Sequence, residues 1–263
     1  MSGQLRFATI VLSVFMSVGS VCWAAPNEPE TYSRLKVSVG GYYYSGNLNQ
    51  LQGNFQGHYG LSSPTAGLDV LFNGFRVWSK ADQGSAYEVS GDDLYVTALP
   101  FYYFNKRFYI AGLGRLESST SLKLDSRYLV GAGLGFAPVR SKDFLVRVSV
   151  TPTYEAATFD GDDFRMDVPH DGAKRSVFRA AVISNGWYRV KDTPVTLRYF
   201  AQIWPNPLLP EDFRMNINGS MDLKVIKQLS FRLSVFVTHD SAILEGREPN
   251  DVRSTFGFAW SSQ

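Results

Sequence analysis

The sequence predicts an all-β chain: a single up-and-down antiparallel transmembrane β-barrel of about 12 strands, following a cleaved signal peptide. Three observations predict it. Polar and apolar residues alternate with a period of two along much of the chain, the mark of strands with unlike faces. The strand-like segments run to roughly 11–15 residues, longer than the ~5–6 of an ordinary soluble strand and long enough for the ~9–11 a tilted membrane strand needs. The connections alternate between short and long, as in barrels with tight turns at one end and loops at the other.

The first 24 residues read as a secretory signal peptide. Arg6 supplies a positive start, Phe7 to Val21 an apolar run, and Cys22-Trp23-Ala24 before Ala25 a small-residue cleavage site. The run is too short for the ~20 residues of a spanning helix. Cys22 is the only cysteine and leaves with the signal, so disulfide, zinc-thiolate and cysteine-nucleophile chemistry are not expected. A short linker over 25–33 follows, and 34–263 forms the barrel domain.

The expected strands fall near 34–44, 48–61, 66–79, 93–104, 107–117, 124–138, 143–157, 175–189, 193–203, 213–225, 229–239 and 251–261. The first two form a hairpin about Ser45-Gly46-Asn47, a tight-turn signal. In the second, Gln50, Gln52, Asn54, Gln56 and His58 oppose Leu51, Phe55 and Tyr59. The apolar set should meet lipid and the polar set line the interior. The seventh, tenth and eleventh segments alternate as cleanly; the third, fourth and eighth are partly apolar on both faces. No segment carries a sustained helical period.

Short links are expected at 62–65, 105–106, 139–142, 190–192 and 226–228, and long ones at 80–92, 118–122, 158–174, 204–212 and 240–250. The Ser45-Gly46-Asn47 turn is the one tight member of the long set and should leave a low point in that rim, beside Trp78. Acidic residues gather in the long loops, among them Asp82, Asp92, Asp93, Asp160, Asp162, Asp163, Asp167, Asp212 and Asp240. Aromatics near strand ends, including Trp78, Tyr103, Tyr109, Trp187, Trp204 and Trp260, suit the girdles at bilayer interfaces. With 44% apolar residues and a formal charge of +2, the chain is neither disordered nor basic enough to imply nucleic acid.

Several short stretches, Val39-Gly40-Gly41-Tyr42, Gly131-Ala132-Gly133-Leu134-Gly135, His239-Asp240-Ser241 and Phe256-Gly257-Phe258-Ala259-Trp260, carry a likeness over nearly the whole mature chain. It resembles the salt-induced outer-membrane protein family, a barrel family of unknown function. The chain departs by reading Leu48-Asn49 where that family tends to show Thr-Asp. The resemblance implies a bacterial outer-membrane barrel and brings no catalytic residues.

Catalytic and metal readings are weak. Ser184-Asn185-Gly186 matches part of an outer-membrane phospholipase motif, but Val182 stands where its histidine should be. Neighbouring strand residues such as His239 and Asp240 point to opposite faces and cannot converge as a triad. Asp160-Gly161-Asp162-Asp163 lacks the spacing of a calcium loop, and His58 has no second histidine at ligand spacing. No cofactor is expected.

Arg147, Arg179, Arg198, Arg214 and Arg232 fall on the polar face of consecutive strands. Since strand direction reverses at each turn, they should sit at different heights, pairing with Glu155 and Asp222 or favouring anions in a passage. The expected function is a non-enzymatic outer-membrane barrel, either a narrow channel for small solutes, anions among them, or an envelope structural protein. Its partners would be outer-membrane lipid, lipopolysaccharide and the barrel assembly machinery. The alternatives are a lipid- or lipopolysaccharide-modifying enzyme and a soluble periplasmic binder of apolar ligands.

Overall fold

The structure, a computed structural model, describes residues 32–44, 49–80, 86–166 and 168–262. The signal peptide, most of the linker, the Ser45-Gly46-Asn47 turn, Asp82 and Asp167 lie outside these residues, and with them the expected low rim. Twelve strands follow one another: β1 (Tyr32–Tyr44), β2 (Asn49–Ser62), β3 (Ala66–Lys80), β4 (Glu88–Tyr103), β5 (Phe108–Ser119), β6 (Leu124–Arg140), β7 (Phe144–Phe159), β8 (Lys174–Arg189), β9 (Val195–Asn206), β10 (Leu209–Lys224), β11 (Leu229–Asp240) and β12 (Asn250–Ser261). Each pairs antiparallel with its sequence neighbours, and β1 pairs with β12 to close the barrel. β1 begins two residues inside the expected linker.

The closing seam is short. β1 and β12 share six paired positions, from Lys36 opposite Ser261 to Gly41 opposite Phe256, whereas β1 and β2 share thirteen. Glycine makes the close approach possible: a Cβ on Gly257 would strike the Val39 carbonyl and the Gly40 Cα.

Side-chain parity decides the two faces. In β2, Gln52, Asn54 and Gln56 are buried while Leu51, Phe55 and Tyr59 are exposed. The same division runs around the barrel: Ile110, Leu116, Val130, Leu134, Val150, Phe178, Leu233 and Phe258 all face outward, with Leu134 66% exposed. Soluble monomers rarely expose apolar patches beyond a few hundred Å². A closed barrel has no sheet edge to leave unsatisfied, so such a belt suits hydrocarbon.

The connections at one end span 63–65, 104–107, 141–143, 190–194 and 225–228. At the other end, 160–173 and 241–249 are long. The expected long loop over 204–212 is absent: β9 and β10 extend to a hairpin whose tip is Pro207 and Leu208. Asn206 explains it, because its Oδ1 accepts the Leu208 N–H at 3.0 Å and closes an Asx-type turn. The register then shifts between Leu209 and Phe213, which absorbs the extra residues.

Candidate functional site

The barrel interior is divided along its axis into two cavities and a filled layer between them. The filled layer begins with an apolar cluster of Leu99, Leu113, Leu129, Ala181, Ile183 and Trp204, against which Leu71 and Phe200 pack. All are contributed by inward-facing positions of β3, β4, β5, β6, β8 and β9. Trp204 is 1% exposed, with the guanidinium of Arg115 5.3 Å and that of Arg214 5.2 Å from its ring. Expected in an interfacial girdle, Trp204 instead fills the lumen, because inward parity continues to the end of the extended β9. Tyr103 and Tyr109 leave the expected girdle for the same reason. They are buried with Ala111 and Ala137, and the Tyr109 ring covers Gly135, where a Cβ would collide with it.

Toward the long-loop end lies a network of buried charge. Glu155 meets Arg214 at 2.9 Å, Arg179 at 3.0 Å and Arg127 at 3.6 Å. Glu117 meets Arg214 at 2.8 Å, Arg115 at 3.3 Å and Arg127 at 3.4 Å. Asp240 takes Arg127 at 2.9 Å and Arg214 at 3.1 Å, while Asp212 pairs with Arg175 and with Arg179. Charges this buried persist only when paired and hydrogen-bonded. Asp93, Asp212 and Asp240 were grouped with the acids of the long loops; all three are inward strand residues. For Asp212 and Asp240 this is because β10 and β11 run further than the expected boundaries, and for Asp93, at the edge of the expected fourth strand, because β4 begins five residues before it.

The two long loops fold over one side of this network. Leu244 bridges to Phe164, Arg165 N–H donates to the Ile243 carbonyl at 2.8 Å, and Glu245 N–H donates to the Asp163 carbonyl at 2.7 Å. Ala242 and Ile243 have no exposed surface, and Leu244 joins Leu124, Ala157 and Phe159 in an apolar cluster. The other side opens into a cavity of about 400 Å³ lined by Tyr95, Arg115, Glu117, Phe236, His239 and Arg253 among others.

At the short-turn end is a larger cavity of about 700 Å³. His58, Asp69, Arg147, Arg198 and Arg232 line it, together with Lys36, Arg140 and Tyr103. Lys36, Arg198 and Arg232 converge on Asp222, the last two at 3.3 and 2.7 Å. Arg147 pairs with Asp69, whose other oxygen lies 3.0 Å from His58 Nε2. The two cavities share no lining residue.

The five arginines singled out by the sequence thus separate into two sets. Arg147, Arg198 and Arg232 belong to the short-turn cavity, and Arg179 and Arg214 to the network beyond the apolar layer. Gln56 and His58 line the same short-turn cavity, while Gln52 and Asn54 are buried further along β2; Gln50 is half-buried. Arg115, Glu117 and Arg127 were missed. They share parity with Leu113 and Leu129, so the polar signal of their strands is diluted by the apolar layer.

The candidate chemistry does not assemble. Ser184 Oγ lies 3.1 Å from the Tyr199 hydroxyl. His239 stacks on Phe213 and its Nδ1 lies 2.8 Å from Asn250 Oδ1. No group of three or more metal-ligating side chains occurs among the described residues.

Residues 37–261 match a family described as a protein of unknown function, DUF481. The chain belongs to that family. The match carries no inducing condition, so salt induction stays with the resemblance. No curated protein matches the chain. Among solved structures, the chain is similar to the NanC porin, at 9% identity over 87% of this chain and 100% of that one, with a TM-score of 0.47. An outer membrane channel from Pseudomonas putida F1 gives 12% identity over 92% and 99%, with a TM-score of 0.45. The KdgM porin in complex with disordered oligogalacturonate gives 13% identity over 87% and 99%, with a TM-score of 0.42. These likenesses are distant, and the barrel architecture of this DUF481 member stands on its own strand pairing.

Proposed function

We propose that this protein is a non-enzymatic bacterial outer-membrane barrel whose lumen is a narrow passage for small solutes, held closed at rest. The observation that carries the reading is the arrangement of two polar cavities, about 700 and about 400 Å³, on opposite sides of one filled layer inside a lipid-facing barrel. A strand-only barrel with an apolar belt is stable in a bilayer, and short turns facing the periplasm with long loops outside is the orientation of outer-membrane barrels. Its surroundings would be outer-membrane lipid and lipopolysaccharide, and Phe256-Gly257-Phe258-Ala259-Trp260 on β12 is the segment offered to the assembly machinery.

Purified protein in planar bilayers should insert, stay closed most of the time, and open to small steps. A wide, permanently open conductance would overturn the closed resting state. A second reading, an envelope structural barrel, is favoured by the full burial of Gln202, Thr151 and Asp212 within the filled layer. Insertion without conductance, even when that layer is thinned by substitution, would select it.

A further inference from the structure

The short-turn cavity carries far more positive charge than its acids balance. Lys36, Arg198 and Arg232 share the single carboxylate of Asp222. Arg147 has Asp69, and Arg189 has Asp143 at 3.0 Å. Lys142 adds one more cation at the rim, and Arg140, whose guanidinium donates to the Pro64 carbonyl, also lines the cavity. Six cations against three carboxylates leave an excess of three charges, with Arg34 and Arg140 on the lining besides and not counted.

These six cations come from β1, β7, β8, β9, β11 and a turn, so they lie on several parts of the wall rather than on one strand pair. A cleft with low-dielectric walls and one sign of charge concentrates its field. Two of the guanidinium groups are also braced. That of Arg147 sits 4.5 Å from the Phe101 ring and that of Arg140 4.0 Å from the Tyr103 ring. Stacked guanidiniums lose little freedom when they form bidentate bonds to oxyanions. The carboxamides of Asn73, Asn185 and Asn218 on the same lining supply neutral hydrogen-bonding groups.

We propose that this cavity is a binding site for small oxyanions bearing two or more negative charges, open to the periplasmic side. The chemistry shared by phosphate esters and polycarboxylates fits it: several oxygens, each taking a forked guanidinium or an ammonium. A monovalent anion would leave most of the excess charge unmatched. The opposite cavity has no such bias, because Arg115, Arg214 and Arg253 are balanced there by Glu117, Asp240, Asp93 and Asp251. The site rests on the barrel reading for its sidedness, and not on conduction.

The test is calorimetry on the detergent-folded barrel with pyrophosphate and with citrate, and acetate as the monovalent control. Heat-modifiable gel mobility confirms folding in each sample. Pyrophosphate or citrate should bind at one site, at least about tenfold more tightly than acetate, and weaken with added salt. The double variant Arg198→Gln with Arg140→Gln should lose about tenfold or more in affinity, since each removes a charge-assisted contact. Asp222 keeps Lys36 and Arg232 in that variant. Arg253→Gln in the other cavity should bind as the parent does. If the double variant fails to fold, the exposed Lys142→Glu takes its place, with the same loss expected. Equal affinity for acetate, undiminished binding by the variants, or no binding by a folded barrel would each overturn the site. Silent bilayers with intact binding would count against the passage alone, and conduction without binding would count against the site alone.

Discussion

Replacing Arg179 by Ala removes a buried side chain that joins two acids and two backbone carbonyls of the network. Arg179 is 2% exposed; it reaches Glu155 at 3.0 Å and Asp212 at 2.9 Å, and donates to the carbonyls of Trp204 and Asp212, both at 3.1 Å. Removing one partner of a buried pair costs about 3–5 kcal/mol, because the remaining charge is left in a poor solvent. Here the acids keep other partners: Glu155 retains Arg214, and Asp212 retains Arg175 and Asn206. The loss should therefore sit at the lower end, about 3 kcal/mol. Adding Glu155→Gln to the variant should cost less than the two changes summed, since they touch the same contact. The exposed pair Arg189–Asp143, at the same 3.0 Å, is the comparison, and Arg189→Ala should cost no more than about 1 kcal/mol. The assay is urea unfolding in lipid vesicles, read by the folded band on unheated gels. A loss for Arg179→Ala below about 1 kcal/mol would refute the reasoning, since it would mean that the network is solvated like a surface pair.

Two further outcomes test the faces and the seam. Leu134→Lys, outward and paired between Ile110 and Val150, should cost about 2–4 kcal/mol if that face meets the middle of a bilayer. Leu208→Lys at the tip of the β9–β10 hairpin, 92% exposed, should stay within about 0.5 kcal/mol. Gly257→Val should slow or prevent barrel closure, seen as loss of the fast-migrating folded band, because its side chain would meet the β1 backbone across a seam of six paired positions. Gly219→Ala, with open space where its Cβ would lie, should leave that band unchanged.

The barrel was legible in the sequence where lipid and lumen impose opposite demands on neighbouring residues. β2, β7, β10 and β11 show it: polar residues inside, apolar outside, and the alternation survives translation into structure. It blurred where the lumen is itself apolar. Leu99, Leu113, Leu129 and Ile183 face inward, so β4, β5, β6 and β8 present apolar residues on both faces. The filled layer was therefore invisible as a pattern, and Arg115, Glu117 and Arg127 with it. The long-loop end was misjudged for a related reason. Asp93, Asp212 and Asp240 read as loop acids by composition, but each lies on an inward strand position opposite an arginine from another strand. Pairing across a barrel depends on which residues share a height, and that follows from register, which local sequence does not reveal.

The central claim, a lumen closed by a filled layer between two cavities, is tested most directly by thinning that layer at Trp204. Trp204→Ala removes the indole held between Arg115 and Arg214, at a cost of about 3–5 kcal/mol for a large buried aromatic. Single-channel recording should show the parent closed for most of the record and the folded variant conducting steadily, with larger steps. Equal conductance in parent and variant, both inserted and both heat-modifiable, would contradict the claim.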